Sequence, residues 1–183
     1  MTLNARRAIL LPTLALIAVS GVAKEPLDVV DRIDFERYQG LWYEIARLPN
    51  RFQAQCSSDV TAHYARREDG RIRVTNRCLR ESGQVSQAEG IARKVEPEGP
   101  DGALEVRFAP KWLSLLPFVW GDYRVFALDE DYRHVLVGSE NRRYLWLLAR
   151  EPSIPERVRE ELLHEASRSG FDLDGLIMTE HGR

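Results

Sequence analysis

The stretch Gly40-Leu41-Trp42-Tyr43-Glu44-Ile45-Ala46-Arg47-Leu48 opens on a glycine, sets two bulky aromatics side by side, and then alternates small or apolar residues with charged ones. That is the pattern of a strand curving round a barrel. Gly40 allows a tight entry and a close approach of backbone to whatever closes the barrel floor. Trp42 carries too much apolar area to be left in water, so it belongs in that floor. A glycine two residues before a tryptophan is also what any core tryptophan after a turn looks like, so the rest of the chain must decide.

Moving outward, the chain reads as strands punctuated by turn signals every 8–12 residues or so. The quoted strand ends at Pro49-Asn50, and a second covers residues 59–67, ended by Glu68-Asp69-Gly70. Residues 71–80 alternate most cleanly, with Ile72, Val74, Asn76 and Cys78 on one face and Arg71, Arg73, Thr75 and Arg77 on the other. Residues 84–95 follow, then 103–109, where Leu104, Val106 and Phe108 oppose Glu105 and Arg107. Strands over 122–128, 134–138 and 144–150 complete the set. Eight strands in sequence joined by short loops predict an all-β fold, an antiparallel up-and-down calyx barrel with no open edge.

Two segments flank the barrel. Residues 27–38 read as loop with one short helical turn. At the other end, Ser153 and Glu156 form a capping box with Pro155 in the first turn. Val158, Leu162, Leu163 and Ala166 make an apolar stripe, and Gly170 is the stop. The strand 144–150 is apolar on both faces and so needs cover on both. The helix is therefore expected to pack on the outside of the barrel there.

The first residues are read as a targeting segment, not as fold. Arg6 and Arg7 form a basic region, residues 8–19 an apolar one, and Gly21-Val22-Ala23 a small-residue cleavage site, too short a run for a transmembrane helix. Cleavage after Ala23 leaves one domain over 24–183 and moves the net charge from −2 to −4 through loss of the two arginines. No cysteine sits near that cleavage site, so a protein free of a lipid anchor, in the periplasm or secreted, is expected. Neither charge nor composition carries a nucleic-acid footprint.

These residues carry a family likeness. From about Asp31 to Met178 the chain resembles the lipocalins, and among them the bacterial lipocalins akin to apolipoprotein D. Three motifs carry it in order: Gly40-Leu41-Trp42; Gly121-Asp122-Tyr123 with Phe126-Ala127-Leu128-Asp129; and Tyr144-Leu145-Trp146-Leu147-Leu148-Ala149-Arg150 before a helix. Gly121 departs from the threonine usual across the wider family. The bacterial relatives commonly carry a lipid-anchor cysteine that is absent here, so their tether is not carried over. In such a barrel Trp42 and Arg150 lie at the same end of neighbouring strands, and the guanidinium over the indole would seal the floor. Gly40, Trp42 and Arg150 are thus expected to be structural.

The resemblance implies a binding protein, not an enzyme: one that holds a fatty acid or lysophospholipid for envelope lipid storage or transport. An eight-stranded barrel is wide enough for one small ligand. The expected lining is Ala46, Ile72, Val74, Asn76, Leu104, Val106, Phe108, Phe126 and Leu136. Asn76 either bonds a ligand headgroup or is satisfied by water. No cofactor and no metal are expected, since the four histidines, His63, His134, His164 and His181, are scattered without ligand spacing. A monomer and a dimer stay equally open.

Three features compete with that reading. Glu44 shares parity with Trp42 and points inward; a buried acid is a candidate catalytic group, but a structural partner for a floor arginine is the better reading. Cys56 and Cys78 are the only cysteines, and in an exported chain an even count favours a disulfide; the up-down order brings both to the mouth. The rival is a reactive thiol, as in the enzymatic branch of the lipocalins, and a haem or pigment carrier is the other alternative. Finally, Trp112, Leu113, Leu115, Leu116, Phe118, Val119 and Trp120 give seven large apolar residues within the nine from 112 to 120. That loop falls at the mouth, either as a lid or as a transient contact for a membrane or protein.

Overall fold

The computed structural model describes residues 25–108 and 119–182. Eight antiparallel strands form a closed barrel: β1 (Gly40–Arg47), β2 (Ser58–Arg66), β3 (Ile72–Leu79), β4 (Val85–Lys94), β5 (Ala103–Arg107), β6 (Gly121–Leu128), β7 (His134–Gly138) and β8 (Leu145–Ala149). Each pairs with its successor, and β1 pairs with both β8 and β2 to close the ring. Closure gives each of the eight strands a neighbour on both sides, as the run of short strands predicts. A short helix, α1 (Phe35–Tyr38), precedes the barrel, capped by the Asp34 carboxylate accepting from the Glu36 and Arg37 amides. It lies across the end at which β1 begins.

The second helix, α2 (Glu156–Arg168), packs outside, but its start differs from expectation. Pro155 occupies the cap position and no side chain caps the helix, so Ser153 and Glu156 form no capping box. The stop at Gly170 is as expected, with the Phe171 amide returning to the Ala166 carbonyl.

Apolar residues form two clusters separated by the barrel wall. The inner one gathers Trp42, Tyr38, Tyr64, Ile72, Val74, Leu104, Val125, Val137 and Leu148 among others. The outer one sets Ile45, Ala46, Leu136, Leu145, Leu147 and Ala149 against Leu162, Leu163, Ala166 and Phe171 of α2 and the chain after it. Strands β7 and β8 are buried on both faces because they divide these clusters.

A ninth strand, β9 (Ile177–Met178), has no counterpart in the sequence reading. Strand β1 pairs with β2 only over Gly40–Tyr43; beyond that its free edge takes β9 instead. The Thr179 amide then donates to the Ile45 carbonyl, and the Asp59 amide to the Glu180 carbonyl. The C-terminal segment therefore fills the seam where β1 and β2 part towards the mouth. Two residues carry no periodicity, so nothing local announces it.

Candidate functional site

The calyx is closed below by aromatic rings. Trp42 is fully buried, donates its indole N–H to the Tyr38 carbonyl at 2.9 Å, and packs 5.2 Å from the Tyr38 ring. The Arg150 guanidinium lies 3.9 Å from the Trp42 ring centre. Its N–H groups reach the carbonyls of Leu41 (2.8 Å), Arg37 (2.6 Å), Tyr38 (3.1 Å) and Tyr132 (3.1 Å). One planar group thereby ties β1, α1 and the β6–β7 loop together. Gly40 sits at φ +93°, and a Cβ there would lie 3.5 Å from Arg150, so the backbone conformation, more than space, calls for glycine.

Above this floor three phenols form a chain: Tyr38 to Tyr123 at 3.1 Å and Tyr123 to Tyr64 at 2.7 Å. Burial pushes all three hydroxyls up, Tyr64 to about 12 and the other two well above their ordinary value. They are neutral donors and acceptors in an apolar bed. Their raised folded-state pKa contributes stability that is fully present below about pH 10 and progressively lost as pH rises from there through about 12. Absorbance titration near 295 nm should show Tyr38, Tyr64 and Tyr123 ionising only with loss of structure. Normal titration of all six tyrosines in a folded barrel would contradict this.

Six of the nine residues expected to line the calyx lie on the inner face: Ile72, Val74 and Leu104 are buried there, Val106 packs against them, and Asn76 is cross-strand from the inward Ala62. Phe108 shares this face, its ring lying over Gly90 where a Cβ would meet it at 2.8 Å, and stays 43% exposed at the mouth.

Three of the nine point the other way. Ala46 packs outside because the β1–β8 register shifts between Glu44 and Ala46, a bulge that turns Ala46 out and Arg47 in. Phe126 stacks on Phe171 outside the wall, 5.0 Å between ring centres, beside a second shift between Val125 and Ala127. Leu136 faces α2; on a strand buried on both faces the sequence offers no phase by which to tell in from out.

The first bulge builds a polar cluster in the mouth half that the sequence reading missed. Glu44, 2% exposed, accepts from the Arg47 guanidinium at 2.7 Å and the Thr179 hydroxyl at 2.6 Å through one oxygen, and from the Gln53 amide at 2.6 Å through the other. The Gln53 carbonyl in turn accepts from the Trp146 indole and from Asn50, both at 2.8 Å. The partner of Glu44 is thus Arg47, not a floor arginine: Arg150 is committed to backbone carbonyls. Both oxygens of this carboxylate are engaged, one of them twice, which suits anchoring and not proton transfer.

Cys56 and Cys78 are bridged, with Cα atoms 5.5 Å apart, tying the β1–β2 loop to the end of β3 at the mouth. In the chain-entropy view the 22-residue separation contributes about 3 kcal/mol. The thiolate that the reactive-cysteine alternative requires is absent, since no cysteine is free. Among the described residues no group of three metal-ligating side chains comes together.

Of the apolar loop, Trp112, Leu113, Leu115, Leu116 and Phe118 lie outside the described residues. Trp120 is described and belongs to the outer wall. Its ring lies between Arg93 at 4.0 Å and Arg107 at 5.2 Å, both on the outward faces of β4 and β5.

This geometry can be set beside known proteins. A family profile described as a lipocalin-like domain matches residues 33–181. The chain is 39% identical over 172 residues to the outer membrane lipoprotein Blc of Escherichia coli (strain K12), covering 92% of each protein. It is 38% identical over 157 residues to temperature-induced lipocalin-1 of Arabidopsis thaliana, covering 85% of this chain and 83% of that one. Among solved structures, insecticyanin from the tobacco hornworm Manduca sexta superimposes with a TM-score of 0.65 at 16% identity, over 88% of this chain and 87% of that one, a likeness of fold. With the profile spanning nearly the whole barrel and relatives well above 30% identity, the chain belongs to the lipocalin-like family.

Proposed function

We propose that this protein carries one long-chain amphiphile, a fatty acid or lysophospholipid, in its calyx, for storage or transport of lipid in the cell envelope. The observation that carries the reading is the division of the inner face. Below, the wall is mostly apolar apart from three neutral tyrosine hydroxyls and is closed by Trp42, Arg150 and α1; the polar side chains of Glu44, Arg47 and Gln53 gather towards the mouth. Such a lining suits an acyl chain pointing down and a headgroup near the entrance. Kinship with the Escherichia coli outer membrane lipoprotein supports an envelope setting. Residues 1–23 fit an export signal cleaved after Ala23, which would release the mature chain into the periplasm.

Transfer at a membrane fits the same reading. Phe52 in the β1–β2 loop is 55% exposed, and Phe108 at the mouth end of β5 is 43% exposed. Between β5 and β6 in sequence, residues 112–118 are rich in large apolar side chains. Each large side chain desolvated in a bilayer contributes about 1.5–3 kcal/mol, so two or three suffice for transient adhesion.

Native mass spectrometry of the mature protein, with lipid extraction, tests the reading. One lipid per barrel, displaced stoichiometrically by oleate, is the expected result. A barrel that purifies empty and leaves a fluorescent fatty acid unbound would refute the proposal.

A further inference from the structure

Arg47 is a buried cation that spends only part of its hydrogen-bonding capacity on the protein. It is 6% exposed, and the bulge after Glu44 turns it inward, opposite Trp146 of β8. Only its Nη1 is occupied, donating to the Glu44 carboxylate at 2.7 Å and the Thr179 hydroxyl at 3.3 Å. Nε and Nη2, with three N–H donors between them, have no partner among the described residues, yet neither is sealed from solvent. Asn76, on the same inner surface, likewise makes no side-chain hydrogen bond among the described residues.

A buried guanidinium ordinarily spends its donors. Nε and Nη2 of Arg47, reachable from solvent, are therefore free to donate to an incoming ligand. The free pair of nitrogens has the planar geometry that matches two oxygens of a carboxylate or phosphate. Glu44 does not compete for a ligand: both its oxygens are engaged, and its charge holds Arg47 in place. The tyrosine chain at the floor offers neutral hydroxyls only, so an anionic group has no equal partner at the deep end.

We propose that Arg47 is the headgroup reader of the calyx, selecting amphiphiles that end in anionic oxygens, a carboxylate or a phosphate, over neutral ones of the same chain length. This rests on the carrier reading above and adds its selectivity.

Matched oleoyl ligands test it: oleate, 1-oleoyl-lysophosphatidate and neutral monoolein, each titrated by displacement of a fluorescent probe. Wild type is expected to bind at least one of the two anions about tenfold or more tighter than monoolein, the scale of a charge-assisted pair. Preference for oleate alone assigns a carboxylate, and for lysophosphatidate alone a phosphate; either upholds the proposal. The double variant Glu44→Gln/Arg47→Gln, which leaves no buried charge unpaired, should bind all three alike. Arg47→Lys, keeping charge but losing the planar fork, should fall between. Equal binding of the three ligands by wild type, or an undiminished preference in the double variant, overturns the proposal and leaves the carrier reading standing. Binding of none overturns both.

Discussion

Trp42→Ala is expected to lower the unfolding free energy by about 3–5 kcal/mol, the cost of emptying a fully buried large side chain. The site cannot readily collapse around the loss. The indole is bounded by Tyr38 at 5.2 Å, by Arg150 at 3.9 Å and by the Tyr38 carbonyl that accepts its N–H. Its removal leaves that guanidinium without a ring face and opens the closed end. Arg150→Ala should also destabilise, because it withdraws donors from four carbonyls on three separate segments. Lysine should rescue little, since an ammonium cannot stack flat and bridge them together. Urea denaturation with lipid titration on the same variants separates the roles. Unchanged unfolding midpoints with selective loss of lipid binding would make this a ligand site and not a structural floor.

Glu44→Ala should cost a comparable amount, about 3–5 kcal/mol, for a different reason. The mutation strands the Arg47 charge in a barrel wall where it is 6% exposed, and leaves the Gln53 amide and Thr179 hydroxyl without their acceptor. Because Thr179 follows β9, the loss should also loosen the C-terminal segment in the seam between β1 and β2. Replacing both charges with apolar residues of similar bulk, Glu44→Leu with Arg47→Met, should cost much less, since no lone charge is left buried. Denaturant midpoints decide the matter, and amide exchange at Ile45 and Thr179 reports the seam. A Glu44→Ala protein as stable as wild type would show that the cluster holds nothing together.

The barrel could be read from local pattern because strand period, turn residues and closure are all written in neighbouring positions. Residues 72–78 alternate strictly, and the structure keeps that alternation: Ile72 and Val74 inward, Arg73 and Arg77 outward and exposed. The glycine before Trp42, the arginine ending the last long strand and the helix after it made the closed end legible, since each is large or chemically distinctive. The disulfide followed from an even cysteine count and the up-down order of strands, which carries both cysteines to one end.

What failed did so where alternation breaks or carries no phase. A bulge adds one residue to a strand and reverses every side chain beyond it. Ala46 therefore faces α2, and the charged Arg47, which alternation alone would send to solvent, enters the calyx. Leu136 was misplaced because a wall clad on both faces is apolar throughout, and Phe126 because β6 is apolar on both sides of its register shift between Val125 and Ala127. Nor could β9 be read, since its two residues become a strand only because β1 and β2 diverge and leave an edge to fill. Sequence thus determined the barrel, its floor and its covalent tie, which rest on periodicity and on singular residues. Register determined the interior, because which side chain enters the cavity depends on hydrogen-bond pairings between segments far apart in the chain.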